Sequence, residues 1–89
     1  MAIFYRMYSL NFSKKSLGQL NKFDIELKQR IWDKLRLCKE NPFRFLEHLE
    51  QIEGFKLRVG DYRIIIDVDI KNQILNVLKM GHRKNIYEK

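Results

Sequence analysis

The sequence has little of what a secreted or membrane protein needs. It contains one cysteine, Cys38, in 89 residues, so neither an intramolecular disulfide nor a cysteine-based zinc site can form. It also lacks a continuous apolar run as long as a signal-peptide core or a membrane span. We therefore expect a cytoplasmic protein that is not secreted and does not enter a membrane.

The motifs of several enzyme classes are absent as well. The two histidines, His48 and His82, are far apart and belong to no metal-ligand pattern. No glycine-rich phosphate loop follows a predicted strand, and no spacing indicates a Ser-His-Asp site. The sequence therefore predicts no metal ion and no cofactor.

Acidic residues are few relative to basic ones. The chain has 11 aspartates and glutamates against 18 lysines and arginines, which gives a formal net charge of +7. Such an excess favours association with a polyanion, either nucleic acid or an acidic protein. Because the chain has 89 residues, of which 45% are hydrophobic, residues 1–89 have room for one domain with one modest core.

The pattern of apolar residues predicts an α+β domain in which an N-terminal strand and a two-helix hairpin precede a three-stranded antiparallel meander. Aromatic and β-branched residues bounded by polar ones predict strands over residues 3–8, 55–59, 62–68 and 74–80. Together these strands form one small sheet. Residues 43–50 fit either a turn of helix or an irregular approach to the sheet.

Two polar positions can cap each predicted helix. Asn11 or Ser13 starts a helix that reaches residue 20, and Asn21 or Asp24 starts one that reaches residue 40, where Asn41-Pro42 ends it. The second helix has an apolar stripe that should face the sheet, formed by Leu27, Ile31, Leu35 and Cys38. Ile25 and Trp32 fall to one side of this stripe. They either pack on the first helix or form an apolar patch for a partner.

Residues 55–63 predict a β-hairpin whose cations share one face. Gly60-Asp61 suits a type II′ turn, because glycine tolerates the positive φ of its first position. In that register Arg58 lies opposite Arg63, with Lys56 on the same face and the apolar residues on the other. Two arginines directly opposite each other repel. They indicate an anion site or, with equal weight, guanidiniums that point into water or toward a nearby aspartate.

Cleavage of an RNA phosphodiester needs fixed cations, because negative charge builds at phosphorus as the ribose 2′-hydroxyl attacks. Arginine suits this charge, since its planar guanidinium donates two parallel hydrogen bonds and stays protonated. A lysine crowded by arginines loses its proton more easily and can act as the base. The ring of a tyrosine can stack on a nucleobase, and its hydroxyl can orient the sugar. The chain supplies these groups in Lys56, Arg58, Arg63, Arg83 and Tyr87.

Three segments, residues 55–65, 77–83 and 86–87, together resemble the RelE branch of the RelE/ParE toxin superfamily. The motif L-R-x-G-x-Y-R followed by G-H-R-x-x-x-Y carries the resemblance. It implies a RelE-like fold and a microbial toxin of a type II toxin–antitoxin system. Such a toxin is a metal-independent endoribonuclease that enters the ribosomal A site, cleaves the mRNA codon there and so inhibits translation. Its partners are the ribosome, mRNA and a RelB-type antitoxin, with which it forms a heterotetramer.

The resemblance also implies roles for single residues. Lys56 acts as base or phosphate ligand, Arg63 and Arg83 stabilise the transition state or protonate the leaving oxygen, and Tyr87 stacks or orients. Further RNA and phosphate contacts are implied for Arg58, Lys79, His82 and Lys84. Candidate antitoxin contacts are Ile25 and Trp32. The sequence departs from the best-known member at Gly54, where that protein has a lysine.

Two other functions stay open. A ParE-like toxin of the same fold inhibits DNA gyrase and cleaves nothing, and an inactive relative only binds its antitoxin. ParE-like toxins generally lack the cations and the tyrosine described above. The presence of Lys56, Arg63, Arg83 and Tyr87 therefore favours the nuclease.

Overall fold

A five-stranded mixed sheet with two helices packed on one face forms the domain. The computed structural model describes residues 7–50 and 52–86. The elements along the chain are β1 (Ser9–Phe12), α1 (Lys14–Lys22), α2 (Ile25–Glu40), α3 (Pro42–Phe45), β2 (Glu47–His48), β3 (Phe55–Val59), β4 (Tyr62–Asp69) and β5 (Ile74–His82). The strand order is β1-β5-β4-β3-β2, with β1 parallel to β5 and the other neighbours antiparallel. The predicted α+β class is confirmed.

Each long helix begins at one of its two predicted caps. The Ser13 side chain accepts a hydrogen bond from the backbone N–H of Ser16 at 3.0 Å, and Asp24 accepts one from Leu27 at 2.8 Å. These bonds satisfy backbone donors that the first turn of a helix leaves unpaired. The second helix ends before Asn41-Pro42, as predicted.

The core lies between α2 and the sheet. The predicted stripe of α2 is buried against apolar side chains of the sheet, which include Leu57, Ile64, Ile66, Leu75 and Val77. Burying each such side chain stabilises the fold by roughly 1.5–3 kcal/mol. Burial also raises the pKa of the Cys38 thiol to about 11, as expected for a core residue rather than a nucleophile.

Two strands differ from the prediction. The first strand is Ser9–Phe12, whereas the prediction placed it at residues 3–8, of which 3–6 lie outside the described residues. Its Leu10 and Phe12 pack on the core, while the outward Asn11 amide donates a hydrogen bond to the Asn76 side chain at 2.9 Å. A fifth strand, β2, lies within the segment left open between helix and loop. Because β2 has only two residues, no alternation marks it in the sequence.

The β3–β4 hairpin has the predicted register. Val59 pairs with Tyr62 and Arg58 with Arg63, and Gly60 has a φ of 58°, so the loop has the two residues Gly60-Asp61. Among the described residues, no helix is long and apolar enough to cross a membrane.

Candidate functional site

Four basic side chains share the sheet face that points away from α1 and α2. Lys56 and Arg58 come from β3, Arg63 from β4 and Lys79 from β5, and the strand register aligns them. We call these four residues the cation face. Three strands of a rigid sheet therefore hold positive charge at neighbouring positions, and phosphate is the kind of group that such an array binds.

A β-bulge in β5 sets which side chains join the cation face. Ile65 pairs with Lys79, but Ile66 pairs with Val77, so Leu78 is the extra residue. Without the bulge, Lys79 would lie on the same face as the buried Val77. The bulge turns Lys79 toward the cation face and, by the same shift, turns His82 away from it.

Arg63 is the most buried member of the cation face, with 9% of its surface exposed. Its Nη1 donates hydrogen bonds to the carbonyl oxygens of Gly60 and Tyr62, both at 2.9 Å. Opposite Arg63 lies Gly81, and Ile86 packs where a Gly81 side chain would stand, 3.4 Å from the Cβ position. The guanidinium is thus held by backbone carbonyls and keeps donors for an anion, since arginine has five.

Arg58 has a carboxylate partner that the sequence did not reveal. Its Nε lies 2.6 Å from Oε2 of Glu47, and both side chains are about half exposed. Glu47 belongs to β2, where it pairs with Lys56. A two-residue strand leaves no periodic signal in the sequence, so only the pairing of β2 with β3 identifies Glu47 as a member of this site.

Arg83 lies beside the β3–β4 turn. Its backbone N–H donates to the carbonyl of Asp61 at 2.7 Å, and its Nε lies 3.7 Å from the Asp61 carboxylate. The side chain is 57% exposed and open to a ligand. Because Arg63 also bonds to this turn, the structure brings Arg63 and Arg83 to the same end of the sheet.

The remaining predicted RNA contacts are not all on this face. His82 pairs with Tyr62 on the helix side of the sheet, with the two ring centroids 5.4 Å apart. Its Nδ1 accepts a hydrogen bond from the backbone N–H of Lys84 at 3.2 Å, and Lys84 itself is exposed. Tyr87 lies outside the described residues.

The two candidate partner contacts lie on α2. Trp32 is 40% exposed, and its ring centroid is 5.5 Å from that of Phe12 in β1. Ile25, in the first turn of α2, is 84% exposed. Trp32 therefore packs on β1, while Ile25 leaves an apolar side chain at the surface.

A surface cleft lies apart from the cation face. A cleft of about 500 Å³ at the far end of the sheet is lined by His48, Ile52, Phe55 and Asp67, among others, and by none of the cation face. Within residues 7–50 and 52–86, no group of three histidine, cysteine, aspartate or glutamate residues is arranged to hold a metal ion.

A protein-family model described as the ParE toxin of type II toxin–antitoxin systems, parDE, matches residues 10–87. This chain belongs to that toxin family. The match covers every element of the sheet except the first residue of β1, and it includes the whole cation face. It confirms the resemblance to the RelE/ParE superfamily that the hairpin motif indicates. No curated protein sequence is significantly similar to the toxin.

Solved structures share the fold of the toxin. An archaeal RelE–RelB complex from Pyrococcus horikoshii OT3 is 22% identical, with a TM-score of 0.77 over 90% of this chain and 99% of that chain. The RelBE2 complex from Mycobacterium tuberculosis is 20% identical, with a TM-score of 0.78 over 86% and 99%. A YoeB/ParE toxin from Agrobacterium tumefaciens is 20% identical, with a TM-score of 0.73 over 83% and 96%. At these identities the likeness shows the fold, which is RelE-like as expected.

Proposed function

We propose that the toxin is a ribosome-dependent mRNA endonuclease that cleaves the codon in the A site and so inhibits translation. One observation carries the proposal. Arg63 and Arg83 each donate a hydrogen bond to the β3–β4 turn, at one end of a sheet that also presents Lys56, Arg58 and Lys79. The array supplies positive charge around a phosphate from several directions, which cleavage needs and mere folding does not.

In the proposed reaction the ribose 2′-oxygen forms a bond to phosphorus while the bond to the 5′-oxygen breaks. The 2′-hydroxyl proton passes to a base and the leaving oxygen takes a proton from an acid. Arg63 and Arg83 donate hydrogen bonds to the phosphate oxygens as their charge increases. Lys56 is the base or a phosphate ligand, and Tyr87 orients the substrate. Arg58, Lys79 and Lys84 bind flanking phosphates.

The position of His82 argues against a direct contact with the reacting phosphate. Its ring packs on Tyr62, on the helix side of the sheet. We therefore assign His82 to supporting Tyr62 at the end of the hairpin, and Arg63 and Arg83 to donating hydrogen bonds to the phosphate and the leaving oxygen.

The proposed partner is an acidic RelB-type antitoxin that binds in the cytoplasm and holds the toxin inactive in a heterotetramer. The Pyrococcus structure is a RelE–RelB complex, and the Mycobacterium structure is the RelBE2 toxin–antitoxin complex. The net charge of +7 attracts an acidic chain over a distance. Ile25 and the exposed part of Trp32 supply apolar contacts on α2.

Inhibition of DNA gyrase is the second candidate. The matching family model is that of the ParE toxin, and ParE-like toxins are the members expected to inhibit gyrase. Primer extension on translated mRNA separates the two. Codon-phased cuts in the presence of purified toxin, and none without ribosomes, support the nuclease. Uncut mRNA together with loss of gyrase supercoiling activity would establish the second candidate instead.

A further inference from the structure

Three arginines from distant parts of the chain lie beside the β3–β4 turn. Arg63 of β4 donates to the Gly60 carbonyl at 2.9 Å, and Arg83, after β5, donates its N–H to the Asp61 carbonyl at 2.7 Å. From α2, Arg30 places its Nη2 2.7 Å from where a Cβ on Gly60 would lie. The turn is therefore enclosed on the helix side and joined to two proposed catalytic cations.

Within this turn, Asp61 makes two contacts to Arg83. The carbonyl fixes the Arg83 backbone, and the carboxylate lies 3.7 Å from Nε. A carboxylate 3.7 Å from Nε attracts that edge of the guanidinium and favours orientations in which the two terminal nitrogens face a ligand. Those nitrogens form the fork that binds two oxygens of one phosphate.

We propose that Asp61 is a positioning residue that aims the Arg83 guanidinium at the scissile phosphate. The inference rests on the proposed RNA cleavage and adds a residue to it. Asp61 itself binds no substrate. It acts by holding a flexible cation in the orientation that the transition state needs, which reduces the freedom that Arg83 must lose at that step.

The side chains of Asp61 and Arg83 are 67% and 57% exposed, so water weakens their attraction and the expected effect is moderate. Asp61→Asn keeps the backbone carbonyl and removes the negative charge. We expect kcat to fall about fivefold, which corresponds to the upper end for an exposed ion pair. KM should stay constant or fall, because a negative charge beside the RNA phosphate is also removed.

The test is cleavage of mRNA on programmed ribosomes by the full-length toxin, with kcat and KM measured separately. Asp33→Asn is the matched control, since it removes the same charge from an exposed pair with Arg36 on α2. It should leave kcat unchanged. Circular dichroism and thermal unfolding check that both variants fold as the wild type does.

A double-mutant cycle decides whether Asp61 acts through Arg83. In the Arg83→Ala background, Asp61→Asn should cause no further loss of kcat, because the group that it orients is gone. An equal loss in both backgrounds, or an unchanged kcat in the single variant, would overturn the inference while wild-type cleavage kept the proposed function. Absence of cleavage by the wild type would overturn both.

Discussion

Both faces of the sheet contain buried residues, but the residues are buried by different means. On the helix side Leu57, Ile64 and Ile66 are 0% exposed beneath the helices. On the opposite side Ile65 is 5% and Arg63 9% exposed. One face is buried by apolar packing, whereas the other buries an arginine by giving it backbone carbonyls.

The apolar helix side stabilises the fold, whereas the cation face places charged side chains at the surface. Packing on the helix side involves only residues of this chain. Pairing Arg58 with Arg63 costs roughly a few tenths of a kcal/mol or more, and Glu47 and the turn carbonyls offset that repulsion. Each guanidinium of the Arg58–Arg63 pair therefore has its own acceptors within the fold.

The arginines beside the β3–β4 turn give the largest expected effect on activity. Arg83→Ala should lower cleavage by roughly two to three orders of magnitude, because a donor to the transition state is lost. The fold should persist, since the backbone N–H that bonds to Asp61 remains. Primer extension with the purified variant measures the loss. Wild-type cleavage by the folded variant would remove Arg83 from the mechanism.

The helix side gives the largest expected effect on stability. Ile64→Ala should lower the free energy of unfolding by about 2–5 kcal/mol, because it leaves a cavity in the core. Lys79→Ala, on the opposite face, should change it by less than about 1 kcal/mol. Urea denaturation of both variants measures the contrast. Equal losses would show that the cation face also carries the fold.

Much of the arrangement of the two sheet faces could be predicted from residues that are close together in the sequence. The turn at Gly60 and the alternation around it predicted the hairpin register, and the sequence offered Ser13 and Asp24 each as one of two possible caps. Two non-local features could not be predicted. The first is the parallel pairing of β1, which joins Asn11 to a residue far along the chain, Asn76. In the sequence alone, Asn11 has the character of a loop residue, because its partner is not local.

The other hidden feature is the bulge at Leu78. Simple alternation from the buried Val77 would place Lys79 in the core and His82 on the cation face, which is the reverse of the structure. A bulge depends on how two strands fit together, so one strand's sequence does not reveal it. For the same reason Glu47, on a two-residue strand, was not among the predicted site residues.

Antitoxin binding tests whether the helix side has a function of its own. Ile25→Glu should weaken the affinity for the cognate antitoxin by about tenfold, because an exposed apolar contact becomes a charge that repels an acidic partner. Ile70→Glu is the control, with the same charge change at another exposed isoleucine. Calorimetry measures both affinities. Equal weakening would indicate general attraction rather than a contact at Ile25.

Trp32 gives a second readout of the same contact. Its emission should shift to shorter wavelength when the antitoxin covers the exposed part of the ring. Unchanged emission in a saturated complex would place the antitoxin elsewhere.

Lys56 tests how the cation face does its chemistry. Lys56 shares the cation face with Arg58, Arg63 and Lys79, an arrangement suited to binding phosphate. We therefore expect Lys56 to bind phosphate and Lys56→Arg to keep activity within about fivefold, because arginine is always protonated and binds phosphate well. Single-turnover cleavage across a range of pH measures this. Loss of activity in the arginine variant would assign Lys56 as the base.

The smallest expected effect concerns Glu47, which holds Arg58 at 2.6 Å. RNA phosphate must compete with this carboxylate for the guanidinium. Glu47→Gln should therefore lower KM by about two- to fivefold, the range of an exposed ion pair, and leave kcat unchanged. Glu40→Gln, a similar charge change at the end of α2, controls for overall attraction to RNA. A large fall in kcat for Glu47→Gln would show that the carboxylate takes part in proton transfer, so that the cation face contains its own base.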